Sequence, residues 1–331
     1  MIDNKTINPA AAKTGGIAVT VFMYIILIIT AIWVIYPMAF TVSSAFTEAN
    51  SLSATNILPL PMKPVRDENG QQVRDADGRA VRKVHFSIYQ FRRLLTPSDQ
   101  LVVDPNVTGA ASANTKGTSY VRWYANTLKI AIMNTLATLA VCVTSGYIFS
   151  RFRFKARKPL MASMIVLQMF PSFIGMVATY VILMRINGLN THWGLILVYV
   201  SGSIPYNTWI MKGYFDTVSK NVEEAARVDG ANQLTTYLWI IVPIVKPMIM
   251  FLALTSFTGP WMDFIFPRLV LRSDDKKTLA VGLWELINGR AADNYTMFAA
   301  GALLIAVPFT ILFMAGQKFL LHSLAGDGVK E

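Results

Sequence analysis

Residues Asn221 to Pro247 read NVEEAARVDGANQLTTYLWIIVPIVKP: a polar helix, a glycine break, a second helix, and a proline-marked passage into an apolar segment. Nearly everything else in the chain is hydrophobic, so a polar helix pair between two apolar spans needs a reason. Asn221 is placed to cap the first helix, with Glu224 three residues on reaching back as in a capping box. Val222, Ala225 and Ala226 share one face by helical spacing, and Glu223 and Arg227 sit four apart on another. The small side chains of Ala225 and Ala226 would let a second surface come close. Gly230 is the expected stop, because glycine takes the left-handed conformation at a helix C-terminus without a steric penalty. Gln233 to Trp239 can restart a helix ahead of Pro243 and Pro247. Spacing alone describes a hinged, amphipathic helix pair at a membrane surface.

The composition around this loop is that of a membrane protein. Of 331 residues, 53% are hydrophobic and 15% charged, against roughly a quarter charged in a soluble domain. Mean hydropathy is +0.44. Several apolar runs exceed about eighteen residues, enough to cross a bilayer. The single cysteine, Cys142, lies in an apolar run and excludes an intrachain disulfide. A net charge of +11 is explained by basic cytoplasmic loops rather than by nucleic acid. The first apolar run follows a polar stretch carrying Lys5 and Lys13. It is too long for a signal-peptide core and reads as an uncleaved anchor.

Taken in order, the chain divides into a cytoplasmic N-terminus (1–16), a first transmembrane helix (17–45), an extracytoplasmic insertion (46–120), a core of five transmembrane helices (121–320) and a cytoplasmic tail (321–331). The core spans are expected near 126–149, 160–183, 194–211, 245–265 and 295–320, with the polar loop at 216–243. The class is therefore an all-α polytopic membrane protein with six transmembrane helices, a cytoplasmic helix-turn-helix loop and a long outer insertion. Arg151, Arg153, Lys155, Arg157 and Lys158 put five cations and no acid into eight residues, which marks that short loop as cytoplasmic. Both termini and the polar loop then lie on the same side. Within the insertion, two near-repeats, Val65 to Gly70 and Val73 to Gly78, end in Asn-Gly and Asp-Gly, hairpin chemistry that predicts a small β-element. Their acidic residues miss the calcium-loop spacing.

Helix breakers inside spans are tolerated where the freed backbone is buried in protein or lines a cavity. Their distribution over the later spans predicts a packed bundle around a pathway. Its candidate residues are Asn126, Pro171, Pro205, Tyr206, Gly259, Pro260 and Asp263, the last being the one acid late in a span. A structural pair with Arg268, or simple exposure at the outer surface, is the other reading of Asp263. No phosphate loop G-x-x-x-x-G-K-[ST], nucleophile elbow or H-E-x-x-H pair occurs, and the three histidines are scattered. This is not a self-contained enzyme.

Glu224-Ala225-Ala226, Asp229-Gly230-Ala231, Pro243 and Pro247 together resemble the cytoplasmic EAA loop of ABC importer permeases. Tyr120 to Thr127 is similar to the F-x-R-W-x-x-N-S segment of sugar-importer permeases. Trp261-Met262-Asp263-Phe264 with Pro267 looks like their W-N-[DE]-F…P segment, with Met262 in place of a polar Asn. Trp193-Gly194, Lys212 to Phe215 and Leu279 to Gly282 favour the MalG-type branch, the second permease subunit of maltose/maltodextrin importers. The insertion is longer than that branch's usual first outer loop.

The resemblance implies a heterodimer with a second permease, two ABC subunits that use ATP and magnesium, and an extracytoplasmic solute-binding protein. This chain would bind no cofactor itself and would sit in a prokaryotic cytoplasmic membrane among lipid, passing a carbohydrate. Glu223, Glu224, Ala225, Ala226, Arg227, Asp229, Gly230 and Ala231 would couple it to the ATPase. The rivals are a permease for another solute, such as glycerol phosphate or a different oligosaccharide, and a secondary carrier, whose inverted repeats are not evident.

Overall fold

The computed structural model describes residues 9–48, 60–65, 71–75, 78, 80–102, 115–288 and 294–326. Its organising element is α3 (Tyr120–Arg151), whose inward residues Tyr120, Trp123, Thr127, Ile130, Ala131, Asn134, Thr138 and Cys142 recur at three- and four-residue spacing. One long face of this helix is therefore covered from end to end.

At its N-terminal end, Trp123 and Tyr120 pack with Leu94 of α2 (Tyr89–Leu95), Trp261 of α10 (Lys246–Met262), Leu279 and Leu283 of α12 (Leu279–Asn288), and Met297 of α13 (Tyr295–Gly326). At its C-terminal end, Cys142, Val143 and Tyr147 meet Met211 and Phe215 of α6 (His192–Thr217), with Ile241, Val245 and Leu252. Between them, Ile130 contacts a group formed by Leu183 of α5 (Ser172–Arg185), Leu195 of α6, and Phe266 and Val270 of α11 (Ile265–Val270). Two glycines permit this closeness. A Cβ on Gly146 would stand 2.6 Å from the Met211 Cβ, and one on Gly282 would fall 2.2 Å from the Trp123 ring.

α1 (Pro9–Ala45) differs in kind. From Val19 to Met38 its apolar side chains are exposed on all sides, and only its last turn is covered, Ala45 packing on Ala299 and Ala300 of α13. A helix apolar all round with no protein against it has a non-aqueous environment to satisfy.

Among the described residues, three helices can cross a membrane by length and composition: Val19–Ala45, Tyr120–Arg151 and Tyr295–Met314. Two bent pairs pass the same test jointly, giving up to five. One is α4 (Arg157–Gln168) with α5, broken by 108° before Pro171. The other is Gln233–Ile244 with α10, bent by 77° at Val245 between Pro243 and Pro247. α6 has 26 residues, but Ser201, Ser203, Pro205 and Asn207 make its middle polar.

The insertion carries two small antiparallel ladders, β1 (Met62–Pro64) with β2 (Arg82–Val84) and β3 (Leu101–Val102) with β4 (Thr115–Lys116). Asn69-Gly70 and Asp77 lie outside the described residues; Gly78 has φ +76°. Glu48, just past α1, fastens the first ladder through Lys63 Nζ at 2.6 Å and His85 Nε2 at 3.1 Å.

Candidate coupling and translocation sites

The polar loop begins with α7 (Asn221–Val228). Here the structure corrects the capping expectation. Asn221 is the first helical residue rather than the cap; its N–H donates to Ser219 Oγ at 3.3 Å, and Glu224 N–H bonds the Lys220 carbonyl at 3.0 Å. The helix starts one residue early because Lys220 already has helical dihedrals.

Its end is as expected from glycine. Gly230 has φ +83°; Ala231 N–H donates to Ala226 O at 2.9 Å and Gly230 N–H to Arg227 O at 3.1 Å, the paired bonds of a Schellman stop. Asn232 Oδ1 then accepts from Thr235 N–H at 2.8 Å, and the chain continues as α8 (Gln233–Thr235), a π-helical turn (Thr236–Ile241) and α9 (Val242–Ile244).

The two alanines part company. Ala226 and Glu223 face the chain's own core, whereas Glu224, Ala225, Arg227, Val228 and Asp229 are exposed. The shared small face of Ala225 and Ala226 is thus corrected: adjacent residues lie 100° apart on a helix, so one points in and the other out. Glu223 is held inside by Arg151, the last residue of α3, whose Nε donates to Glu223 Oε1 and whose Nη2 donates to Val218 O at 2.8 Å. Arg227 stands 3.9 Å from the other Glu223 oxygen. Arg151 counted only as an inside-marking cation in the sequence; nothing local distinguishes it from Arg153.

Halfway along α3, a groove of about 380 Å³ opens between α3, α6 and α10. Tyr206, Gly259 and Pro260 of the expected pathway line it, together with Asn134, Tyr199, Asn207 and Ser256. Pro260 explains its floor. Lacking an N–H, it leaves the carbonyl four residues back, Ser256 O, without a helical donor, and Asn134 Nδ2 supplies that bond from α3 at 2.8 Å.

The other expected pathway residues lie elsewhere. Pro171 and Pro205 line a second groove of about 690 Å³ between the α4–α5 break and α6. Asn126 donates to the Asp275 and Lys277 carbonyls, both at 2.9 Å, and so pins the loop between α11 and α12 onto α3. Asp263 caps the α10–α11 junction: its Oδ1 accepts from Phe266 N–H at 3.4 Å and its Oδ2 from Tyr199 OH at 2.8 Å. Asp263 has no pair with Arg268, which instead bonds Glu285 and lies 4.7 Å over the Trp284 ring.

The α11–α12 loop has a second anchor. Asn190, at φ 55°, accepts from the backbone N–H groups of Arg272 and Ser273 at 3.0 and 3.1 Å. Lys277 bonds Glu285 at 2.7 Å and Asp274 at 3.0 Å. Burial lowers its pKa, but the bonds and charges of the two acids outweigh that and hold it above the ordinary lysine value. Among the described residues no cluster of metal-ligating side chains occurs.

Residues 138–325, covering α3 from Thr138 through α6, the polar loop, α10 and α12 to the end of α13, match the family described as "Binding-protein-dependent transport system inner membrane component". The chain belongs to this family. This permease is 34% identical over 93% of its length to the galactooligosaccharides transport system permease protein GanQ of Bacillus subtilis, covering 95% of that protein. It is 34% identical over 96% of its length to the maltodextrin transport system permease protein MdxG of the same organism, covering 99% of it. The maltose/maltodextrin permease MalG of Escherichia coli is 34% identical over 63% of this chain and 72% of that one. In fold, the permease superposes with TM-score 0.71 on a chain from the crystal structure of a bacterial ABC transporter involved in import of the acidic polysaccharide alginate, at 20% identity, over 95% of this chain and 99% of that one.

Proposed function

We propose that the chain is the transmembrane, non-catalytic subunit of an ATP-binding-cassette importer for a neutral oligosaccharide, maltose and maltooligosaccharides foremost. The observation that carries this reading is the near full-length similarity to two sugar permeases. The galactooligosaccharide relative makes a different oligosaccharide the second reading.

In this reading the chain makes six passes with both termini and the polar loop in the cytoplasm. It pairs with a second permease, two ATPase subunits and an outer solute-binding protein, and ATP with magnesium is held by the ATPase. The exposed face of α7, with Glu224, Ala225, Arg227, Asp229 and Gly230, is the coupling surface. Glu223, Ala226 and Ala231 set its angle from beneath. ATPase closure presses on that face, and the Arg151–Glu223 pair makes α3 follow it. Because α3 also forms a wall of the groove at Asn134, movement at the loop changes the groove. Tyr206, Gly259 and Pro260 border the path directly, Pro171 and Pro205 flank it, and Asn126 and Asp263 brace its outer end. A near-complete switch of state needs a differential of about 5.5 kcal/mol. One ion pair transmits that energy but does not supply it; ATP and the loaded receptor do.

Co-expression with the neighbouring transport subunits, followed by reconstitution, tests the reading. Recovery of one complex whose ATP hydrolysis rises with maltodextrin-loaded receptor supports it. Stimulation by galactooligosaccharide alone selects the second reading, and uptake by the isolated chain without ATP refutes both.

A further inference from the structure

One segment of the insertion engages its polar side chains and leaves its apolar ones exposed. Between β2 and α2, Val84, Phe86 and Ile88 are 49%, 64% and 70% exposed. The polar residues that alternate with them are bonded within the protein: His85 Nε2 meets Glu48 Oε1 at 3.1 Å, and Ser87 Oγ accepts from Tyr89 N–H at 3.3 Å. The pattern continues along α2. Tyr89, Gln90 and Leu94 are buried, whereas Arg92 and Leu95, which helical spacing places on the face of Ile88, are exposed. Successive exposed apolar side chains of this size mark a contact with another protein or with a membrane.

The position of the segment decides between the two. α1 from Val19 to Ala45 has 27 residues and is therefore about 40 Å long, the thickness of a bilayer with its headgroup layers. Phe46, the next residue, stands at headgroup level. Its carbonyl accepts from Ser87 N–H at 2.9 Å, and its ring packs on Phe86 and Phe91 at centroid distances of 5.9 and 5.1 Å. The exposed side chains are thus held at the level where the lipid around α1 ends. Charge agrees with this placement: Arg82 to Leu95 contains four Lys or Arg and no acid, which suits lipid phosphates. Arg92, between Ile88 and Leu95, can extend its charge outward while its stem lies on lipid.

We infer that Val84, Phe86, Ile88 and Leu95 form an interfacial anchor, which seats the insertion in the phospholipid headgroup layer at the C-terminal end of α1. Lys83 and Arg92 meet the lipid phosphates. The bilayer that surrounds α1 reaches this segment without any further partner, so α2 and the first ladder rest against the membrane surface. The inference requires only that α1 crosses the membrane. It is independent of the solute carried and of the coupling loop.

The test uses the full chain in nanodiscs of phosphatidylethanolamine and phosphatidylglycerol. Its one native thiol, Cys142, is fully buried, so a bimane label can be directed to Ile88→Cys or, as a control, to Asp275→Cys on the α11–α12 loop. Both native side chains are exposed, so neither change disturbs packing. Phospholipid carrying a nitroxide near its headgroup should quench the label at Ile88→Cys and leave that at Asp275→Cys unquenched. Adding Lys83→Gln and Arg92→Gln should weaken the quenching when phosphatidylglycerol carries the nitroxide. Equal quenching of the two labels overturns the anchor. So does a label at Ile88→Cys that lipid leaves unquenched and that is shielded from iodide only once partner subunits are added, which assigns the face to a protein. Undiminished quenching by nitroxide phosphatidylglycerol in the Lys83 and Arg92 variant overturns the phosphate contacts.

Discussion

Arg151 at the end of α3 and Glu223 in the first turn of α7 form an ion pair with side chains only 5% and 4% exposed. A buried charge is tolerable when it is paired and its remaining hydrogen bonds are met. Arg151 meets this by also bonding Val218 O. The pair joins the helix that walls the groove to α7, the helix on which Glu224, Ala225 and Arg227 are exposed.

Removing one partner should therefore cost about 3–5 kcal/mol, because the other charge stays buried without compensation. Arg151→Met is expected to lower the thermal stability of the complex and to raise the ATP hydrolysed per sugar imported. Arg151→Met with Glu223→Met should recover much of the stability while leaving coupling impaired. Equal coupling in wild type and Arg151→Met would show that α7 reaches α3 by another route.

At Gly230 the constraint is conformational. A Cβ there meets nothing within 4 Å, yet φ is +83°. Gly230→Val should therefore cost about 1–2 kcal/mol through backbone strain alone, and Gly230→Asn much less, since Asn visits this region. Uptake assays on the two variants should separate them, with valine lowering uptake at unchanged ATPase content.

The Pro260 break makes a rescue experiment available. Asn134→Leu leaves Ser256 O unsatisfied at a cost of about 1–3 kcal/mol. Pro260→Ala restores an N–H four residues after Ser256, so the double variant should be more stable than Asn134→Leu alone in a denaturing-detergent titration. Simple additivity of the two losses would refute the assigned role of Asn134.

Acid should release the insertion from α1. Burial raises the Glu48 pKa, but Lys63 and His85 pull it down further, leaving it below 4.5. A carboxyl lowered on folding stabilises above its unfolded pKa, and that contribution is lost as pH falls through the folded value. Hydrogen exchange at residues 62–65 and 82–85, corrected for the intrinsic pH effect, should accelerate below about pH 4.5. Glu48→Gln should show the fast behaviour already at neutral pH. The Lys63 partner is 39% exposed, so the effect should not exceed about 1 kcal/mol.

Much of the site was legible residue by residue. The polar loop announced itself against its apolar surroundings, and Gly230 marked the helix stop because only glycine takes that conformation freely. Gly259 and Pro260 stand out as helix breakers and Tyr206 as an aromatic face, and the three share one groove. Asn126 and Asp263 are polar residues near span ends, but each is spent on fastening backbone. Polarity within an apolar span says that a partner exists, without saying whether it is cargo or chain.

The sequence by itself determined the membrane class, the polar loop and its hinge, and the absence of an ATP-binding loop. These depend on composition and on residues a few positions apart. Tertiary structure alone decided that Asn134 serves a carbonyl 122 positions away and that Arg151 is paired with Glu223, 72 positions on. It also decided that Ala225 faces outward while Ala226 is covered. Such pairings depend on which helix faces meet and at what height. That is set by the packing of all three helices at once, through contacts such as Gly146 on Met211, and local sequence does not encode it.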